Sequence, residues 1–235
     1  PSIGPLGVLY PVELLATSDA GGARESHIVH RQLDEASPLE EVVVVSGWTS
    51  FPIAVTQVGA LRAVIFDLWN TIADWPEDAW AEIRPEVARH LGLTVEEFES
   101  RWYGDVAVLR ETRPFAEVLA LFDVAPEAAA RVVALRRGVT RQGLVPLPGA
   151  LETISALRER GFLIGLITVC SEDVAVLWQE TAFHGLFDVE VFSATVGLRK
   201  PDPRIYRLAL DQLGLQPEEA VFVGDGANDE LAETA

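Results

Sequence analysis

Methionine is absent from this chain of 235 residues, cysteine occurs once, at Cys170, and lysine once, at Lys200. A single cysteine excludes an intramolecular disulfide. It suits a reducing compartment, with the cytoplasm as the expected location. No apolar run reaches the roughly 18 residues that a membrane-spanning helix needs, and residues 1–30 lack the charged and then apolar pattern of a secretory signal. Cations are scarce in general. Eighteen basic residues face 36 acidic ones, for a net charge of −18. That balance excludes a nucleic-acid or anionic-membrane partner, since both require basic patches. It leaves room for a small anionic ligand, which senses only the local field, and for a hard cation held by carboxylates.

Seventeen of the basic residues are arginines. A site that keeps an ammonium against that background uses a compact point charge in place of a planar fork. The plainer alternative is that a lysine-poor chain must put its one lysine somewhere. Lys200 sits in the phrase Gly197-Leu-Arg-Lys-Pro-Asp-Pro203, so its neighbourhood decides between the two.

Nearly half the residues, 49%, are apolar. The length fits one large domain or a domain with an insert. Residues 1–60 carry a loop-like stretch from Thr17 to Ala23, a strand-like segment at 41–46, and punctuation at Gly47 and Pro52. His27 and His30 lie three apart there, without a third ligand nearby, and read as surface residues. From Leu61 the pattern sharpens. Ala63 to Phe66 is a short apolar run ending in Asp67, as expected of a strand buried on both faces. Residues 76–145 are helical in pattern, with Trp80, Ile83, Val87 and Leu91, and later Phe115, Val118, Leu119 and Phe122, at spacings of three and four. The arginines at 131, 136, 137 and 141 fall in this block, mostly as solvated side chains, with one free to reach over an anionic substrate. Then come a helix over 150–160 closed by Gly161, a strand from Phe162 to Thr168, and a helix over 172–182. A strand over 189–193, a helix over 203–213 closed by Gly214, and a strand over 220–223 complete the series. This alternation predicts an α/β fold, a Rossmann-like parallel sheet with helices on both faces. Ligands of such sheets bind outside the carboxyl ends of the strands.

The polar residues at those ends are Asp67, Thr168 and Asp225, and Lys200 lies on a loop between two of the strands. A carboxylate like Asp67 can serve as a nucleophile or simply cap a turn. Gly224-Asp225-Gly-Ala-Asn-Asp229-Glu230 places three carboxylates on a turn, which suits Mg²⁺ or the acidic first turn of a helix. The Thr168 hydroxyl can donate to a phosphate oxygen, or be an ordinary strand-end hydroxyl. Cys170 is expected to be a buried, inert thiol.

In order and spacing, Phe66-Asp67-Leu-Trp-Asn-Thr71, Leu166-Ile-Thr168, Lys200-Pro-Asp-Pro203 and Val223-Gly-Asp225 followed by Asp229 resemble the motifs of the haloacid dehalogenase (HAD) superfamily over residues 61–235. The resemblance implies a core made of 61–75 and 146–235, a helical cap inserted at 76–145, and an N-terminal extension of unclear structure at 1–60. It also implies Mg²⁺-dependent hydrolysis of a small phosphorylated substrate. In that scheme Asp67 is the nucleophile, and Thr168 and Lys200 hold the transferring group. The metal is bound by Asp67, the Trp69 backbone carbonyl, Asp225 and Asp229.

The chain departs from the family pattern at Trp69, where the family's phosphatases carry a second aspartate that protonates the leaving group. An indole N–H is a donor without acid/base exchange, and such general acid help is typically worth about 10²–10⁴-fold. Two rivals follow: a metal-independent haloacid dehalogenase, which lacks that aspartate, and a catalytically impaired binding module. Trp69 itself either packs under the cap or walls the substrate pocket. The family's core also continues past its last acidic motif, so the stop at Ala235 leads one to expect either a fragment or a replacement strand from residues 1–60.

Overall fold

A computed structural model describes residues 61–226. The segment at 41–46, His27, His30 and Asp229 lie outside those residues. The centre is a parallel sheet of four strands, β1 (Ala63–Phe66), β2 (Leu163–Thr168), β3 (Val189–Phe192) and β4 (Ala220–Val223), in the order β3-β2-β1-β4. β1 pairs with both β2 and β4, with Phe66 opposite Leu166 and Val223. All four β1 side chains are buried. Successive strand side chains point to opposite faces, so both faces of the sheet are covered. This is why the strand reads as a continuous apolar run instead of an alternation.

Six α-helices lie between β1 and β2, and the first five form one block: α1 (Glu77–His90), α2 (Val95–Ser100), α3 (Ala107–Thr112), α4 (Phe115–Ala120) and α5 (Pro126–Gly143). One π-helical turn, Arg101–Asp105, separates α2 from α3. Thr94 and Glu97 form a reciprocal capping box at the start of α2, and Pro126 begins α5, where its missing N–H costs nothing. The block buries its own core around Trp80, Val87, Phe98, Trp102, Phe115 and Val132. Each large side chain buried in this way contributes about 1.5–3 kcal/mol, in a cluster distinct from the one around the sheet.

The remaining helices are α6 (Ala150–Glu159), α7 (Glu172–Leu177), α8 (Ser193–Val196) and α9 (Pro203–Leu213). α9 and β4 match the sequence expectation residue for residue. The helix expected over 150–160 ends at Glu159, and the strand expected from Phe162 begins at Leu163. Two further segments differ. The helix expected over 172–182 ends at Leu177 and tightens to a 3-10 turn over Trp178–Glu180. There Trp178 turns inward to stack on Phe183, centroids 5.5 Å apart, with Phe187 and Phe192 beside it. The strand expected over 189–193 ends at Phe192, because Ser193 opens α8 and uses its hydroxyl elsewhere. Among the described residues no helix is long and apolar enough to cross a membrane.

Candidate active site

Asp67 follows β1 directly. Its N–H donates to the Val223 carbonyl at 2.8 Å, so the β1–β4 ladder extends to this residue and fixes its backbone. The chain then folds tightly. The N–H groups of Thr71, Ile72 and Ala73 all donate to the Leu68 carbonyl, at 3.3, 2.9 and 3.0 Å. Asn70 takes the left-handed conformation, φ 57°, which asparagine tolerates better than bulkier residues. From there the Asn70 side-chain amide donates to Asp225 Oδ2 at 3.1 Å, joining the loops after β1 and β4.

Lys200 reaches the same point from the loop between α8 and α9. Its ammonium donates to Asp67 Oδ1 at 2.5 Å and lies 5.0 Å from the centre of the Phe222 ring. Lys200 is 3% exposed and Asp67 6%. The aromatic face and the carboxylate together compensate a buried cation. Burial pushes the Asp67 carboxyl above its ordinary value. The Lys200 ammonium opposes the rise, and the charge on Asp225 adds to it.

Thr168 ends β2, the strand beside β1, and is fully buried. Its hydroxyl and that of Thr71 have no hydrogen-bond partner. Buried polar groups are ordinarily paired, so two orphan donors around Asp67 mark a place prepared for an acceptor. The structure thus brings Asp67, Lys200, Thr168, Trp69 and Asp225 to one end of the sheet. The donors Asp67 Oδ2, Asp225 and the Trp69 carbonyl are hard oxygens of the kind that bind Mg²⁺ with water completing the shell. The mutual repulsion of Asp67 and Asp225 is the electrostatic condition that a cation relieves. Among the described residues no cluster of three or more His, Cys, Asp or Glu side chains forms a ready-made cage.

A cavity of about 270 Å³ opens beside this centre. Its walls include Trp69 and Trp75 from the segment after β1, the loop Val169-Cys170-Ser171 after β2, and Trp80, Trp102, Tyr103, Arg110 and Arg136 from the helical block. Trp69 meets Trp75 edge to face at 5.3 Å and lines the cavity with it. Arg136, 3% exposed, is the arginine of its group that turns inward. Its guanidinium lies 4.7 Å from both the Trp75 and Trp80 ring centres. It donates to Ser171 Oγ at 2.9 Å and pairs with Asp173 at 3.4 Å. The Thr140 hydroxyl donates to the same Asp173. Glu111 pairs with Arg110 at 3.1 Å and with Arg199, the neighbour of Lys200, at 3.2 Å. Three elements of the helical block are thereby tied to the sheet's end, the last by Glu172 accepting from the Phe115 N–H at 2.9 Å.

Cys170 is buried. Its N–H donates to Ser193 Oγ at 2.9 Å, and that hydroxyl donates to the Cys170 carbonyl at 3.1 Å. Burial pushes the thiol up to about 12, as an inert residue requires. The sequence reading gave Asn70 and Thr71 no role of their own and did not single out Arg136 among its four arginines. One signal for the cavity was available: four of the six tryptophans fall between positions 69 and 102.

The model of the haloacid dehalogenase-like hydrolase family matches residues 61–232. A phosphatase of Mycobacterium tuberculosis is 30% identical over 181 residues, covering 72% of this chain and 81% of the relative. The glyceraldehyde 3-phosphate phosphatase of Methanopyrus kandleri is 33% identical over 181 residues, 70% of this chain and 76% of the relative. A HAD phosphatase structure from Thermococcus onnurineus shares the fold, with a TM-score of 0.50 and 24% identity over 70% of this chain and 77% of that one. The chain belongs to the haloacid dehalogenase-like hydrolases and is an enzyme of that class.

Proposed function

We propose that this hydrolase cleaves a small phosphate ester through a covalent aspartyl-phosphate on Asp67. The observation that carries the reading is the buried Thr168 hydroxyl without a partner, at the end of the strand beside an ion-paired nucleophile. A phosphoryl oxygen supplies the missing acceptor. Phosphatases among the relatives support the same reading.

In this scheme one carboxylate oxygen of Asp67 attacks phosphorus, and the other is left to the metal. Lys200 offsets the charge on the phosphoryl group as a point charge, and the Thr168 and Thr71 hydroxyls donate to its oxygens. Asp67, Asp225 and the Trp69 carbonyl would hold Mg²⁺, with Asp229 as a further ligand. The ion would supply positive charge against the repulsion between an anionic nucleophile and an anionic substrate. The helical block over 76–145 acts as a cap on a core made of 61–75 and 146–235. Its contacts through Arg136, Glu111 and Phe115 hold it against the end of the sheet that carries Asp67.

The test is release of inorganic phosphate from a panel of phosphate esters, with Mg²⁺ and then with excess chelator. Chelator-sensitive release that Asp67→Asn abolishes is expected. Full activity in Asp67→Asn refutes the nucleophile. Halide release from a 2-haloacid, indifferent to chelator, replaces the reading with dehalogenation. Neither activity leaves a binding module.

A further inference from the structure

We infer that the cavity beside Asp67 receives a single planar ring, and that the favoured substrates are phosphate esters of phenol-like alcohols. The inference rests on the phosphoryl-transfer reading above and names the leaving group for it.

Two independent observations converge. The first is the shape and chemistry of the space. The cavity begins at Trp69 and Val169, next to the ends of the adjacent strands β1 and β2 that carry Asp67 and Thr168. A group leaving from phosphorus therefore departs into it. A cavity of roughly 150 Å³ holds benzene, so about 270 Å³, walled by indoles and by the charged side chains of Glu77, Arg110, Glu111 and Arg136, has the room for one ring with small polar substituents. Trp80 and Trp102 are fully buried and belong to the core of the helical block. Trp69 and Trp75 are only partly buried and present indole surface to the space. Indole faces and edges favour a flat π-surface in offset or edge-on geometry. A cationic ring is disfavoured, because the Arg136 guanidinium already occupies the cation position over Trp75 and Trp80.

The second observation concerns the proton. The side chain two residues beyond Asp67 is an indole, whose one polar atom is an N–H donor without acid/base exchange. The carboxylates that reach the cavity are engaged elsewhere. Glu111 accepts from Arg110 and Arg199, and Glu77 pairs with Arg84 at 3.6 Å. A leaving group here departs as its anion. A phenol ionises near pH ~10, as tyrosine does, and so leaves unprotonated far more readily than an aliphatic alcohol.

The step balances without a further reactant. An Asp67 oxygen bonds to phosphorus, and the P–O(aryl) bond breaks with its electron pair on the aryloxide, which takes a proton from solvent. Water then opens the acyl phosphate, restoring the Asp67 carboxylate and releasing inorganic phosphate.

The experiment compares kcat/KM of the full chain, with Mg²⁺, for a series of ring-substituted phenyl phosphates, for glycerol phosphate, and for acetyl phosphate, a good leaving group without a ring. The phenyl phosphates are expected to exceed glycerol phosphate by at least about 10²-fold, the low end of what an acid catalyst supplies. Their rates should rise steeply with the acidity of the phenol. Trp75→Ala is expected to lower the ratio of phenyl to acetyl phosphate turnover about tenfold, through loss of ring contact, and Trp75→Phe to restore it. A flat dependence on phenol acidity overturns the inference, since it means that a proton donor such as Glu111 serves the leaving group. A ratio unmoved by Trp75→Ala overturns it as well. Turnover of acetyl or glycerol phosphate without turnover of phenyl phosphates sinks the ring and leaves the Asp67 chemistry standing. Release of phosphate from none of them sinks both.

Discussion

Glycine to alanine in one helix should change stability in opposite directions at two positions five residues apart. Gly143 ends α5, where the helix passes under the segment that leads from the site into α1. A Cβ there would stand 2.5 Å from Pro76 Cδ, 2.9 Å from the Asp74 carbonyl oxygen and 3.1 Å from Trp69 Cζ3. Favourable carbon contacts lie at about 3.5–4.0 Å, so relief requires a movement of about 1 Å. The nearest atoms belong to a proline ring and to backbone, and neither can rotate aside. Overpacking of this kind costs about 1–3 kcal/mol. Against it stands the helix preference for alanine, about 1 kcal/mol at most and less at a helix end. Gly143→Ala is therefore expected to destabilise by about 1–2 kcal/mol. Gly138, in the same helix, has nothing within 4 Å of its added Cβ, and Gly138→Ala is expected to stabilise by about 0.5–1 kcal/mol. Urea unfolding followed by tryptophan fluorescence gives both values against one reference, with the denaturant slope checking that unfolding stays comparable. Equal shifts, or a gain of stability in Gly143→Ala, would refute the close approach of α5 to the segment that bears Trp69.

Three further outcomes follow from buried groups. Asp173→Ala should destabilise by about 3–5 kcal/mol, because it strands the Arg136 guanidinium in the interior. Glu180→Ala, which removes the exposed partner of Arg141, should cost less than about 1 kcal/mol, and thermal or urea unfolding of the two variants separates the cases. Lys200→Met should abolish turnover and destabilise the fold by leaving the Asp67 carboxylate unpaired. Adding Asp67→Asn to it should recover stability without recovering activity, and a double variant less stable than Lys200→Met alone would contradict the ion pair. Cys170 should resist thiol reagents in the native protein and react only on unfolding. Its folded-state value, near 12 against an ordinary value of about 9, adds stability that is fully present below pH 9. That stability is lost as pH rises toward 12, at about 1.4 kcal/mol per pH unit. Cys170→Ala should flatten that alkaline decline, which unfolding curves between pH 8 and 11 would show.

Much of the fold was legible because its signals are local. β4 and α9 could be bounded to the residue: an apolar run of four ends at Gly224, and Pro203 and Gly214 bracket the helix. Asp67, Thr168, Lys200 and Asp225 stood out because each is a polar residue where an apolar run or a punctuated loop stops. What was illegible depends on partners far along the chain. Arg136 has the spacing of a surface arginine, and only Ser171 and Asp173, about 35 residues later, make its burial tolerable. Thr71 looks like any turn threonine until the sheet buries its hydroxyl. The helix expected to run to 182 ends at Leu177, and the Trp178 ring there stacks on Phe183, a pairing that helical periodicity does not announce.

The chain's one lysine gives amine chemistry a single side-chain address. Lys200 is shut between Asp67 and the Phe222 ring, so a reagent that acylates amines must wait for that contact to open. The fraction of molecules carrying an adduct at this residue, read by mass after digestion, then reports openings of the Asp67–Lys200 contact. No engineered label is needed, because the scarcity of lysine has already removed every competing side chain.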